Sequence, residues 1–253
     1  MKNGFKSTFQ SSVHLQEIFI TSLNRSRTTR ILLPAAYYRY PEKRFPVLYM
    51  LDGQNLFDNT TSFGSPWNVQ KVMDKLPLKY QCIIVGIDNG GHFRGSEYLP
   101  HHKHKLYHHG EGDIFIDFIK SDLKTKVDHH LRTLPDRDNT MIAGSSMGGL
   151  LAFYAATRTC DIFGKAGVFS PAFWMYPPVL NLKPKTFSKI YIVGSKNESR
   201  GMKNTLEKTY WALKESGYPD EKVRVVVKDR GKHNEKLWGR EFGPMLKWLI
   251  EDK

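Results

Sequence analysis

The sequence predicts the α/β fold class, with a mostly parallel central sheet and helices on both of its faces. Short apolar runs bounded by turn residues recur along the 253-residue chain, and apolar stripes at helical spacing separate the later runs. The central runs are apolar at almost every position, as expected of strands covered on both faces. Alternating strands and helices favour parallel strands joined by right-handed crossovers.

Each predicted element depends on its own run of residues. Apolar runs predict strands at residues 18–20, 29–33, 47–51, 82–87, 140–143, 165–169, 190–193 and 223–227. Apolar residues spaced three and four apart predict helices within residues 114–127, 150–155, 206–213 and 242–249. Ligands of such sheets bind beyond the carboxyl ends of the strands, so we expect functional residues in the loops there.

Length and composition predict a single domain over residues 1–253, because 40% of the residues are hydrophobic and 13% are aromatic. No apolar stretch is long enough for a secretory signal or a membrane span, so we expect a cytoplasmic protein without membrane contact. The two cysteines, Cys82 and Cys160, do not indicate a disulfide framework.

The net charge of +13 would promote association with polyanions. Basic residues are nevertheless scattered among acidic ones along the whole chain and form no block. We therefore expect a solvated basic surface and no nucleic-acid partner. The sequence carries no pattern that indicates an oligomeric state.

Residues 89–112 break the alternation and predict a long lid-like loop. The segment is rich in histidine, and its members are His92, His101, His102, His104, His108 and His109. Such a tract can bind a metal, but these residues lack a recognisable ligand spacing. A solvated or substrate-flanking loop is the favoured interpretation, and no metal site is expected.

The stretch Gly144-Ser145-Ser146-Met147-Gly148 is a G-x-S-x-G sequence. By itself it is also typical of an ordinary Gly/Ser-rich loop before a helix. Here it lies between a predicted strand and a predicted helix, as a nucleophile elbow requires. Ser146 is thus the candidate nucleophile, and the Met147 backbone N–H would be one donor of an oxyanion hole.

A serine nucleophile needs a histidine base and an acid that orients it. His233 is the candidate base because it follows the last predicted strand and precedes the terminal helix. Glu198 is the candidate acid, since it follows the strand that ends near residue 193. Asp229 is the rival acid, although it lies on the same loop as His233 and ahead of it. Both carboxylates could also be ordinary solvated residues.

The loop after the third predicted strand should supply the second oxyanion donor. That loop has the sequence Asp52-Gly53-Gln54-Asn55, and the Gln54 backbone N–H is the expected donor. Asp52 is interpreted as a residue that shapes the loop.

These residues belong to a wider set of matching motifs, and the chain resembles the putative esterase family of the α/β-hydrolase superfamily, close to its siderophore-esterase and esterase-D-like branch. The resemblance covers most of the chain. The matching residues are 48–58, 85–90, Arg94, Glu97, Tyr98, Pro100, 132–137, 144–149, 170–174, 231–235 and Trp238.

The resemblance implies a serine carboxylic-ester hydrolase with an α/β-hydrolase fold and no cofactor. It implies Ser146 as nucleophile, His233 as base and the amides of Gln54 and Met147 as oxyanion donors. Relatives act on sugar-linked acetyl or feruloyl esters, siderophore esters or glutathione thioesters, or act as acyl transferases. Similar sequences place the acidic residue where Asn197 stands here. A one-residue insertion would bring Glu198 to that role, whereas some relatives are thought to use a Ser–His pair.

Four further residues are candidate substrate contacts. Arg94 and Tyr98 lie in the predicted lid, where Arg94 could alternatively fix the loop by pairing with Glu97. Phe173 and Trp174 could line the mouth of the site or pack in the core. The expected substrate is a small acyl, sugar-linked or siderophore-type ester. The alternatives are an acyltransferase using the same residues and a non-catalytic binding protein of this fold that holds an anionic ligand or nucleic acid.

Overall fold

The computed structural model describes residues 9–100 and 109–251. One sheet of eight strands dominates the described residues, in the order β1-β2-β4-β3-β5-β6-β7-β8. Strands β1 and β4 both pair antiparallel with β2, and all other neighbours are parallel. The strands are β1 (Ser12–Ile20), β2 (Arg25–Leu33), β3 (Val47–Leu51), β4 (Ile83–Ile87), β5 (Thr140–Ser145), β6 (Lys165–Phe169), β7 (Lys189–Ser195) and β8 (Val223–Lys228).

The prediction of a mostly parallel sheet is confirmed. Strands β3, β4, β5 and β7 are buried at every residue, which explains why their sequences are apolar without alternation. Strand β1 begins six residues earlier than its apolar run predicted, because the outer part of this edge strand is exposed and carries polar residues.

The helices cover both faces of the sheet, as predicted. The helices are α1 (Ala35–Arg39), α2 (Val69–Met73), α3 (Arg94–Glu97), α4 (Gly112–Asp117), α5 (Lys124–His130), α6 (Met147–Arg158), α7 (Met202–Glu215) and α8 (Glu235–Ile250). Two buried apolar clusters lie on opposite faces of the sheet, one with α4, α5, α6 and α7 and the other with α2 and α8. A π-helical stretch, Phe118–Leu123, joins α4 to α5.

The predicted lid is only partly covered by the described residues. His101, His102, His104 and His108 lie outside them. The described flanks are fixed to the β1–β2 hairpin by ion pairs: Glu97 binds Arg25 at 3.0 Å and Arg27 at 2.5 Å, and Glu111 binds Arg25 at 2.7 Å. The side chain of Glu97 is fully buried in this network.

Two further predictions concern the cysteines and membrane-spanning helices. Cys82 and Cys160 are buried free thiols. Within residues 9–100 and 109–251, no helix combines the length and the apolar composition that crossing a membrane would require.

Candidate active site

Ser146 occupies a sharp turn between the end of β5 and the start of α6. Its φ of 57° and ψ of −119° are a strained combination for a residue other than glycine. The turn is held by its own backbone, because the Ser146 N–H donates to the Phe169 carbonyl at 2.9 Å. Its carbonyl accepts from Ala172 N–H at 3.0 Å. The local geometry is that of a nucleophile elbow.

The motif glycines permit this turn by letting two backbone segments approach closely. A Cβ on Gly144 would lie 2.5 Å from the Gly148 carbonyl oxygen. A Cβ on Gly148 would lie 3.3 Å from Asp52 Oδ2. The first position therefore excludes any side chain, and the second leaves very little room for one.

His233 follows β8 and pairs with the residue that the sequence identified as the candidate acid. The His233 Nδ1 atom lies 3.1 Å from Glu198 Oε2. The Glu198 side chain has no exposed surface, and its Oε1 accepts the Ser195 N–H at 2.6 Å. The alternative acid, Asp229, forms an exposed ion pair with Lys196 at 2.6 Å. The structure thus pairs His233 with Glu198.

An aromatic side chain supports the His233 ring from one side. The rings of His233 and Trp238 meet edge to face, with centroids 5.1 Å apart. Trp238 Nε1 in turn donates to the buried hydroxyl of Ser170 at 2.9 Å. Trp238 therefore links the His233 loop to the end of β6. In the sequence, Trp238 was recognised only as a matching residue, and its contact with His233 was not predicted.

Ser146 and His233 line one cavity of about 860 Å³ at the carboxyl ends of the parallel strands. The hydrogen bonds of the described residues do not include one between the Ser146 hydroxyl and the His233 imidazole. In ligand-free enzymes this contact is often long and tightens when substrate binds. Further lining residues include Asp52, Gln54, Asn55, Phe63, Asn89, Arg94, Glu235 and Lys236.

The loop after β3 presents a backbone donor to this cavity. Asp52 adopts a left-handed conformation with a φ of 58°, and a short 3-10 helix, Gly53–Asn55, follows it. Among the described residues, neither the Gln54 nor the Met147 backbone N–H donates to a protein acceptor. The Gln54 side chain accepts from Asn89 N–H at 3.1 Å, which holds the loop. Both amides that the sequence singled out are thus available to a ligand.

Asp52 shapes this loop through a salt bridge. Arg94 binds it with two hydrogen bonds, of 2.7 and 2.8 Å, and Asn89 Nδ2 adds a third of 2.7 Å. The Asp52 backbone N–H donates to the Tyr98 hydroxyl at 3.0 Å. Arg94 is therefore not paired with Glu97, as the sequence suggested it could be, because Glu97 binds Arg25 and Arg27 instead.

The four predicted substrate contacts occupy different environments. Arg94 lines the cavity. Tyr98 is fully buried beneath the Asp52 loop, and Phe173 is buried against Phe153 with ring centroids 5.0 Å apart. Trp174 is 70% exposed but does not line the cavity. Among these four residues, Arg94 faces the described cavity, whereas the rings of Tyr98 and Phe173 are enclosed by the core.

Two prominent lining residues received no role from the sequence: Phe63 lies outside the motifs, and Glu235 falls within the matching stretch 231–235 without an assigned function. Phe63 is 86% exposed at the cavity, and its N–H donates to Asn55 Oδ1 at 2.9 Å. Glu235 is only 7% exposed. Burial raises the pKa of the Glu235 carboxyl above its ordinary value, and the negative charge of Asp52 adds to this rise. A hydrogen bond from its own backbone N–H and the charge of His233 offset part of it.

The described part of the chain holds no group of three or more His, Cys, Asp or Glu side chains arranged to bind a metal ion. The histidines of residues 101–108 lie outside that part, so the structure does not bear on them.

Curated proteins of similar sequence include two that match most of this chain. The uncharacterized protein YbbA of Bacillus subtilis (strain 168) is 23% identical over 240 residues, covering 88% of this chain and 92% of YbbA. The endo-1,4-beta-xylanase/feruloyl esterase of Xylanibacter ruminicola is 25% identical over 246 residues, covering 91% of this chain. The match spans only 30% of that longer protein.

Solved structures share the fold at low sequence identity. The BES protein from Bacillus cereus superposes with a TM-score of 0.77 at 16% identity, covering 100% of this chain and 98% of the other. The enterobactin esterase FES from Shigella flexneri gives 0.70 at 20% identity, covering 94% and 58%. These matches show a common fold.

The family is shown by a match to the sequence profile described as "Putative esterase", which covers residues 20–249. This range contains the elbow, the Glu198–His233 pair and the Gln54 loop. The chain therefore belongs to the putative esterase family and is an esterase, a carboxylic-ester hydrolase with an α/β-hydrolase fold.

Proposed function

We propose that the protein hydrolyses carboxylic esters through an acyl-enzyme on Ser146, with His233 as general base and Glu198 as the acid that orients it. The observation that carries the proposal is the shared cavity. It brings a serine on a strained elbow together with a histidine whose Nδ1 faces a buried carboxylate. Family membership supplies the reaction class.

In the first half-reaction, His233 Nε2 takes the Ser146 proton while Oγ attacks the ester carbonyl. The carbonyl oxygen becomes negative and accepts hydrogen bonds from the amides of Gln54 and Met147. The C–O bond to the alcohol then breaks, and the alcohol leaves with the proton that His233 carried. Throughout, the Glu198 carboxylate holds the Nδ1–H and stabilises the imidazolium.

In the second half-reaction, a water molecule gives a proton to His233 and attacks the acyl carbonyl. The bond to Ser146 Oγ breaks, Oγ regains a proton from His233, and the acid is released. No group outside these residues is needed to balance either step.

We further propose a small acyl, sugar-linked or siderophore-type ester as substrate. The proteins that resemble this chain support this class, because they include a feruloyl esterase and an enterobactin esterase. A cavity of about 860 Å³ lies within the range of about 300–1,000 Å³ found for small-molecule sites.

The proposal is tested with purified Ser146→Ala and 4-nitrophenyl acetate. We expect kcat to fall by about 10²-fold or more, since the nucleophile is lost. The exposed Ser26→Ala serves as the matched control and should retain the parent rate. Mass spectrometry of the parent protein during turnover should also show one acyl group on Ser146. Hydrolysis by Ser146→Ala at the parent rate would overturn the mechanism.

A further inference from the structure

Glu235 presents a buried carboxyl group to the active-site cavity, and the catalytic steps above do not use it. It is the first residue of α8, two residues after His233. The residue is 7% exposed, yet it lines both the active-site cavity and an adjoining one that includes Trp67 and Arg240. The carboxyl oxygen Oε2 comes within 4.0 Å of the position of a Cβ on Gly64. It therefore lies against the loop that carries Phe63.

The Glu235 carboxyl has no side-chain partner among the described residues. The other acidic side chains at the site are occupied, since Asp52 binds Arg94 and Glu198 binds His233. A hydrogen bond from the backbone N–H of Glu235 offsets part of the rise in the carboxyl pKa that burial causes. A buried carboxyl whose hydrogen bond comes from its own backbone N–H keeps acceptor capacity for a ligand, and exceptions to the usual packing rules are expected where a ligand completes the contacts.

The surroundings indicate which donor would complete them. Lys236 and Arg94 also line the cavity, and the chain carries a net charge of +13. Asp52 compensates the charge of Arg94, but Lys236 and the net positive charge of the chain disfavour a cationic ligand, whereas they do not repel a neutral hydroxyl group. The exposed ring of Phe63 on the adjacent loop provides an apolar surface for the carbon skeleton that carries the hydroxyl.

We infer that Glu235 is a specificity-determining residue that accepts a hydrogen bond from a hydroxyl group of the ester substrate. The inference rests on the proposed function, because it assigns the hydroxyl to the ester that Ser146 attacks. It narrows the substrate class to esters that carry a free hydroxyl on the acyl or the alcohol part.

Two pairs of esters test this inference by a selectivity ratio. The acyl pair is 4-nitrophenyl 3-hydroxybutyrate and 4-nitrophenyl butyrate, and the alcohol pair is 2-hydroxyethyl butyrate and ethyl butyrate. We expect the parent protein to favour the hydroxyl member of one pair by about tenfold in kcat/KM, the size expected of one hydrogen bond to a charged group. The pair that shows the preference identifies the part of the substrate that Glu235 contacts.

Substitutions at Glu235 then separate recognition from support of the fold. Glu235→Ala should bring the ratio to about one. Glu235→Gln keeps the shape and an acceptor oxygen, so it should give an intermediate ratio. The exposed Glu215→Ala is the matched control and should keep the parent ratio.

The inference is overturned if the parent protein shows no preference in either pair. It is equally overturned if Glu235→Ala slows both members alike, because a purely structural residue would do that. Either result leaves the serine mechanism intact as long as hydrolysis of the butyrate esters still requires Ser146.

Discussion

At the scale of single residues, a buried carboxylate fixes the candidate base: Glu198 Oε2 lies 3.1 Å from His233 Nδ1, and His233 lines the same cavity as Ser146. Ser146, His233 and Glu198 were predicted from a motif, from their order along the chain and from the family resemblance. Glu235 belonged to the matching stretch 231–235 but received no role, because a glutamate at the start of a helix is usually a solvated residue that favours the helix dipole. Its burial depends on the Phe63 loop, which is distant in sequence.

The candidate acid Glu198 and the alternative acid Asp229 give a prediction at this scale. Glu198→Gln should lower kcat by about 10²-fold or more, because a neutral amide orients the imidazole poorly and does not stabilise its charged form. Asp229→Asn, which alters the alternative acid, should retain most of the parent kcat. The measurement is steady-state hydrolysis of 4-nitrophenyl acetate, and the reverse ranking of the two variants would reject Glu198.

At the scale of elements, the strands were predictable where burial on both faces makes a sequence apolar throughout, as in β3 and β4. The exposed half of β1 gave no such signal. The role of Tyr98 could not be predicted, because its hydroxyl accepts a hydrogen bond from the backbone N–H of Asp52, a residue far away along the chain. The residue types of the loop predicted that Asp52 shapes the turn. That Arg94 is its partner could be seen only in the folded chain.

The Asp52–Arg94 pair gives the prediction at this scale. Arg94→Gln should lower the free energy of unfolding by about 2 kcal/mol, because it leaves the buried Asp52 carboxylate without its cation. The effect is below that of a fully buried pair, since the Arg94 side chain is 28% exposed. Urea titration followed by circular dichroism measures it.

The exposed pair between Lys203 and Glu207 provides the control for that experiment, with a separation of 3.5 Å. Lys203→Gln should change the free energy of unfolding by less than about 0.5 kcal/mol. Equal effects of the two substitutions would show that Arg94 does not hold the loop after β3.

At the scale of the whole molecule, the sheet brings the ends of β3, β5, β7 and β8 to one edge, where the loops carrying Gln54, Ser146, Glu198 and His233 meet. This convergence was predictable from the alternation of strands and helices. The cavity walls were not, since they come from loops whose contacts leave no periodic pattern, as the Phe63 loop shows.

The pKa of Glu235 connects the site to the stability of the entire fold. Because this pKa is raised in the folded state, folding takes up a proton between the ordinary glutamate range and the folded value. The contribution of Glu235 to stability is therefore most favourable at low pH and falls as the pH rises through that window.

Glu235→Gln should accordingly raise the melting temperature at pH 7.5, because it removes the buried charge. The gain should shrink as the pH is lowered toward about 4.5, where the glutamate of the unfolded chain is itself half protonated. Differential scanning calorimetry of both proteins across this range is the measurement. A gain that grows toward low pH would contradict the assigned direction.

The two glycines of the elbow have an evolutionary consequence. Gly144 and Gly148 are imposed by the close approach of two backbone segments and by the proximity of Asp52, and neither contact involves the Ser146 hydroxyl. A descendant that lost esterase activity would therefore still be constrained to glycine at residue 144 and would still have little room for a side chain at residue 148. Motif searches that detect the glycines report the shared ancestry of the scaffold, whereas retention of the serine together with His233 distinguishes a working enzyme from an inactive descendant.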